Sequence, residues 1–131
     1  MEEPSESEIN SLIQLIDEHT KRLVQVYDKL EAWTSRYVIP TADELDRIPR
    51  HDMLELADAR AVVLTAVQAV VPTASTFLQK LKTIPSSLMN ALSNFLTVFW
   101  KIVSRYFNLF KIESIQITIS INPSIVVVLK P

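Results

Sequence analysis

The first stretch of the chain repeats apolar positions with the period of an α-helix. Apolar side chains recur at spacings of three and four residues from Ile9 to Tyr37, with His19 on the same seam. Ser5 and Glu8 have the spacing of a capping box, so a helix is expected to begin there and to close before Pro40. Further apolar positions widen the seam, and this favours a bundle helix over a coiled coil.

Two prolines mark the predicted start and end of the next helix. Pro49 suits a first helical turn, and an apolar helical pattern follows it as far as Val71. Pro72 is expected to kink or stop that helix, so residues 73–82 are predicted as a separate third segment. Residues 41–44 have the spacing of a second capping box, which predicts a short turn ahead of Pro49.

Residues 86–110 form the most apolar predicted helix, with a narrow polar stripe along one side. Polar residues between Asn90 and Asn108 interrupt the apolar span that crossing a bilayer would require. We therefore expect a soluble bundle helix here and no transmembrane helix.

The spacing of apolar residues changes from a helical period to a strand-like alternation at the end of the chain. Residues 114–121 alternate polar side chains with isoleucine, residues 122–124 resemble a turn, and residues 125–129 are continuously apolar. A lone hairpin is marginal in water, so this one is expected to dock on the bundle or on a partner copy. The sequence thus predicts one mainly α domain: a four-helix-bundle-like body in residues 1–111 and a C-terminal two-stranded β-hairpin in residues 112–131.

The composition argues against an enzyme. The chain has no glycine and no cysteine, which excludes dinucleotide fingerprints, P-loops, glycine-flanked serine nucleophiles and thiolate metal sites. His19 is expected in the bundle interior or at its edge, and His51 with its neighbouring acids reads as a solvated helix start rather than a metal site. We expect no catalysis, cofactor, metal or small-molecule substrate.

Charge is unevenly distributed between the two halves of the chain. Residues 1–60 contain 14 acidic and 7 basic side chains, whereas residues 61–131 contain 1 acidic and 6 basic ones. This asymmetry favours head-to-tail association, and it leaves nucleic acid or anionic lipid as further candidate partners. The candidate basic face consists of Lys80, Lys82, Lys101, Arg105 and Lys111.

The C-terminal strands are the strongest functional clue in the sequence. No charged residue occurs from Ser114 to Leu129, so nothing in this segment blocks pairing with a strand of a second copy. We predict that the chain self-associates as a homo-oligomer. The candidate contact residues are Ile115, Ile117, Ile119, Ile121, Val126, Val128 and Trp100.

The glycine-free, cysteine-free helical body and the alternating tail from Ile115 to Ile121 resemble the small virion structural proteins of spindle-shaped, tailed archaeal viruses, the bicaudaviruses. The resemblance implies a helical coat component located in the virion, or in the host cytoplasm before assembly, with other virion proteins as further partners. The acidic N-terminal start lacks the features of a secretory signal peptide. The alternatives are a membrane-active or signalling helical module with a self-templating β tail, and a nucleic-acid-binding packaging protein.

Overall fold

The computed structural model describes residues 3–36 and 48–106 in full, and the backbone of residues 117–121 and 125–129. It is mainly helical, as the sequence predicts. The elements are α1 (Glu6–Arg36), α2 (Arg50–Lys80), α3 (Ser86–Tyr106), β1 (Ile117–Ile121) and β2 (Ile125–Leu129).

The predicted capping box starts α1. The Glu8 amide donates to Ser5 Oγ at 3.1 Å, and the Ser5 amide donates to Glu8 Oε1 at 3.4 Å. These two bonds satisfy backbone donors that the first turn of a helix leaves without a helical partner. The Ile9 amide then donates to the Ser5 carbonyl oxygen at 3.0 Å, which closes the first turn.

Contacts between the helices give an up-down-up bundle. Arg36, at the end of α1, bonds to Glu55 near the start of α2, so these two helices are antiparallel. Arg105, at the end of α3, bonds to Glu31 in the second half of α1, so α3 runs parallel to α1. At the opposite end, the Lys82 amide between α2 and α3 donates to Glu3 Oε1 at 3.1 Å.

The three helices share one hydrophobic core. Each helix contributes a stripe of buried apolar side chains at the spacing of three and four residues that places them on one face. The predicted seam of α1 is buried as expected, including Ile16, Leu23 and Trp33. The largest fully buried side chains are Trp33, Tyr106, Phe95, Phe99, Ile16, Leu23, Leu30, Leu78, Leu88 and Ile102.

The prediction of a separate segment after Pro72 is wrong, because α2, which is 31 residues long in all, continues through this proline. A proline inside a helix removes one backbone donor, but it does not remove the packing on either side. Val70 and Ala74 are both fully buried, and they hold the helix against the core before and after Pro72. Over residues 3–36 and 48–106 the body therefore has three helices, not four, and the predicted second and third segments are one element.

The backbone of β1 pairs with that of β2 in an antiparallel two-stranded sheet. Ile117 pairs with Leu129 and Ile121 pairs with Ile125, on either side of the turn predicted from the sequence. The β1 backbone lies beside α2. The predicted capping box in residues 41–44 and the predicted ends of the first and last helices lie outside the described residues.

Candidate functional site

A polar cluster joins the end of α1 to the start of α2. Asp52 is buried, and its Oδ1 lies 3.0 Å from His51 Nε2 and 3.6 Å from Arg36 Nη1. Arg36 Nη2 also bonds to Glu55 Oε2 at 2.7 Å. Within residues 3–36 and 48–106, no three His, Asp or Glu side chains are grouped so that they could hold a metal ion. The cluster therefore has the geometry of a clamp between two helices.

A groove of about 620 Å³ lies beside this clamp, between α1 and α2. Leu30, Trp33 and Leu56 provide apolar lining, and Arg36 and Glu55 contribute charge. These two charged side chains are already bonded to each other. The groove thus combines an apolar surface with the ion pair between Arg36 and Glu55.

A second cluster joins α1 to α3 through cations and aromatic rings. Lys101 Nζ lies 4.4 Å from the centroid of the Tyr27 ring. Arg105 Nη1 donates to Tyr27 Oη at 2.8 Å and to Glu31 Oε1 at 3.1 Å. The hydrogen bond to Tyr27 raises the pKa of Arg105, and burial raises the pKa of Tyr106, whose ring stands edge-on to Tyr27. Both cations are thus engaged in holding α3 against α1.

The candidate basic face is spread over two ends of the molecule. Lys101 and Arg105 lie at the end of α3, whereas Lys80 ends α2 and Lys82 follows it. The helix from Ser86 to Lys101 alone is about 22 Å long, which separates the two pairs. Lys111 lies outside the described residues.

His19 occupies the interior of the seam, as the sequence predicts. The side chain is buried on α1. Burial lowers the pKa of this imidazole, and the nearby Arg22 charge lowers that pKa further, while Glu18 acts in the opposite direction. The neutral form is therefore favoured in the folded protein, which fits a core residue.

Several large apolar side chains remain on the surface of the bundle. Trp100, a candidate contact residue, is 38% exposed on α3, and Met89 on the same helix is 37% exposed. Val24 on α1 and Leu54 on α2 are also exposed. Single apolar side chains are ordinary on protein surfaces, so the exposure of Trp100 alone does not indicate an interface.

The strand register divides the candidate contact residues of the tail between two faces. Directly paired residues of an antiparallel sheet share a face, and successive residues alternate faces. Ile117, Ile119 and Ile121 pair with residues on β2 that the sequence reasoning did not select: Leu129, Val127 and Ile125. The selected Val126 and Val128 instead pair with Ser120 and Thr118. Ile115 lies outside the described residues.

The most extended uncharged helical surface is on α2, and the sequence analysis missed it. No charged residue occurs between Arg60 and Lys80. Among the described helices, α2 is the one long and apolar enough to cross a membrane by length and composition. Of its 18-residue apolar stretch 28% is fully buried, and further apolar side chains of α2 are half-buried against the core. The exposed side chains between residues 61 and 79 are small or polar: Ala61, Thr65, Gln68, Pro72, Thr76 and Gln79. Counting charges along residues 49–82, rather than only along the last helix, would have found this segment.

Comparison with known proteins adds no family to these observations. No family model, no curated protein and no solved structure matches this chain.

Proposed function

We propose that the chain is a non-enzymatic structural protein that self-associates through its C-terminal strands. The observation that carries this proposal is the two-stranded pairing of β1 with β2. Each strand of such a sheet has one edge whose backbone donors and acceptors are not used within the sheet. The sequence places no charge from Ser114 to Leu129, so no charged side chain blocks these edges.

The register is compatible with one face of the sheet packing on the bundle and an edge of the sheet pairing with another copy. Six apolar residues, Ile117, Ile119, Ile121, Ile125, Val127 and Leu129, fall on one face by their pairing. Because β1 lies beside α2, a face of the sheet can pack on the bundle while an edge strand stays open to a strand of another copy. Docking within the chain and pairing between copies are therefore compatible.

The resemblance to small virion structural proteins of bicaudaviruses extends this proposal to a coat or virion component. The excess of acid in residues 1–60 and of base in residues 61–131 favours head-to-tail contacts between copies and with other virion proteins. The chain would act in the virion, and in the host cytoplasm before assembly. A packaging role on nucleic acid has less support, because Lys101 and Arg105 are engaged with α1 and lie far from Lys80 and Lys82.

Size-exclusion chromatography with light scattering tests the proposal on the full chain and on a chain ending at Glu113. The full chain is expected to form oligomers, and the shorter chain is expected to be a monomer with unchanged helical circular dichroism. In the full chain, Ile119→Lys should also give monomers, because it places a charge in the paired strands. Val24→Lys places the same charge on an exposed apolar site of α1 and should leave the oligomer intact. Full and shortened chains with the same oligomeric state would refute self-association through the strands.

The membrane-active alternative is supported by α2, which is long and apolar enough to cross a membrane by length and composition and carries no charge between Arg60 and Lys80.

A further inference from the structure

The two strands of the C-terminal sheet differ in composition. In β1 isoleucine alternates with Thr118 and Ser120, whereas β2 consists of five consecutive aliphatic residues. Alternation is typical of a strand with one face against a core and the other in water, and a continuous apolar run is typical of a strand that is covered on both faces. By composition, β2 is therefore the strand that calls for a further neighbour.

The register shows where that neighbour is missing. Val126 pairs with Ser120, and Val128 pairs with Thr118. Directly paired residues share a face of the sheet, so on this face the two valine positions of β2 have hydroxyl-bearing residues as their partners on β1. A further strand on the other side of β2 could supply the apolar partners that β1 does not.

The position of the sheet on the bundle distinguishes its two edges. Of the two strands, β1 is the one whose backbone lies beside α2, and β2 is joined to β1 along one edge. A strand added at the free edge of β1 would compete for space with α2. A strand added at the free edge of β2 would extend the sheet away from that helix, so this second edge is the more accessible one.

We propose that the free edge of β2 pairs with β2 of a second copy, antiparallel and about a two-fold axis at Val127. The inference rests on the proposed self-association through the C-terminal strands and specifies the edge and the partner strand. The product is one four-stranded sheet with the two β2 strands at its centre and a β1 strand on each side. A two-stranded sheet is marginal in water, and additional strands stabilise it. A two-fold contact of this kind also closes at two copies.

The sequence of β2 is compatible with pairing to itself. In an antiparallel pair of these strands, all five residues overlap only when Val127 lies opposite Val127 of the second copy. Val126 then lies opposite Val128, and Ile125 lies opposite Leu129. Each cross-strand pair is aliphatic, and no charge meets its own copy at the axis, where like charges would repel.

A cysteine at the proposed axis provides a direct test with the full chain. The protein has no cysteine of its own, so Val127→Cys introduces a single thiol. Directly opposite residues of an antiparallel pair have Cα atoms about 4.5 to 5.5 Å apart, a separation that a disulfide can bridge. Mild oxidation with copper phenanthroline is expected to convert Val127→Cys to a covalent dimer on a non-reducing gel.

Ile119→Cys is the matched control for this experiment. Ile119 pairs with Val127 within the chain but lies on β1, so its thiol is one strand away from the proposed contact. We expect Ile119→Cys to form the covalent dimer at least about tenfold more slowly than Val127→Cys, because the two copies of this thiol are not opposite each other. Equal rates, or faster cross-linking of Ile119→Cys, would overturn the proposal.

A matched pair of lysine substitutions tests the same edge without cross-linking. Val128→Lys and Thr118→Lys place the same charge at directly paired positions of β2 and β1. Val128→Lys should raise the dissociation constant of the dimer by about tenfold or more, because it brings a charge to the paired edge. Thr118→Lys should change it by less than about twofold, as is usual for a polar surface position. Light scattering over a concentration series measures both, and equal effects would contradict pairing through β2.

The oligomeric state of the shortened chain separates this proposal from the broader one. If the full chain and the chain ending at Glu113 have the same oligomeric state, self-association through the strands is wrong, and pairing through β2 is wrong with it. If only the full chain oligomerises and Val127→Cys does not cross-link, the strands associate by another contact, and the choice of the β2 edge alone is wrong.

Discussion

The indole Nε1 of Trp33 donates a hydrogen bond of 2.9 Å to the backbone carbonyl oxygen of Asp52. Trp33 lies in the last turns of α1, and Asp52 lies in the first turn of α2. Both residues are buried, and the salt bridge between Arg36 and Glu55 closes over the same junction. One aromatic side chain therefore fills the core and fixes the relative position of two helices.

Substitutions of Trp33 should separate these two contributions. Trp33→Phe retains most of the apolar volume and removes the donor, so we expect a loss of about 1 to 2 kcal/mol in the free energy of unfolding. Trp33→Ala also leaves a cavity and should cost about 3 to 5 kcal/mol. Urea denaturation followed by far-ultraviolet circular dichroism measures both losses. Similar small losses for the two variants would show that Trp33 does not hold this junction.

The buried His19 predicts a dependence of stability on pH. Its pKa is lowered in the folded protein relative to the ordinary value of 6.5, mainly by burial. The unfolded chain therefore binds a proton at a higher pH than the folded chain does, and the free energy of unfolding should fall as the pH drops through about 6.5. Thermal unfolding between pH 7.5 and pH 5.5 measures this loss.

Two histidine variants identify the group responsible for the acid loss. His19→Leu places an apolar side chain in the seam and should flatten the change in melting temperature over this range. His51→Gln alters the histidine that is exposed beside Asp52, and the acid loss from His19 should persist. An unchanged pH profile in His19→Leu would rule out His19 as its source.

Pro72 predicts a gain in stability on substitution. It is exposed in the interior of α2, where proline lacks a backbone donor and crowds the preceding turn. Pro72→Ala should restore one helical hydrogen bond and raise the free energy of unfolding by up to about 3 kcal/mol. Chemical denaturation of the two proteins measures the change. A loss of stability would mean that the core requires a bend that only proline provides at this position.

Local pattern was sufficient to predict much of the fold. The period of three and four residues located the buried seam of α1, because burial of one face is what creates that period. The bonds of the capping box join Ser5 to Glu8, only three residues away, and depend little on the rest of the fold. Trp100 is partly exposed on α3, and its role as a contact residue stays a prediction.

The features that were mispredicted or missed depend on balances beyond local pattern. Pro72 removes one helical hydrogen bond, but the burial of Val70 and Ala74 outweighs this loss. The strength of such packing cannot be judged from the local sequence. The exposure of α2 depends on which of its faces α1 and α3 cover. The register of β1 against β2 also lies beyond local pattern, and the choice of Val126 and Val128 as contact residues stays a prediction.

Amide hydrogen exchange of residues 117–129, measured over a range of protein concentrations, tests self-association most directly. Pairing between copies adds hydrogen bonds at a strand edge, so exchange in β1 or β2 should slow as the concentration rises, while exchange in α1 stays constant. Exchange in both strands that is independent of concentration would contradict association through the C-terminal sheet.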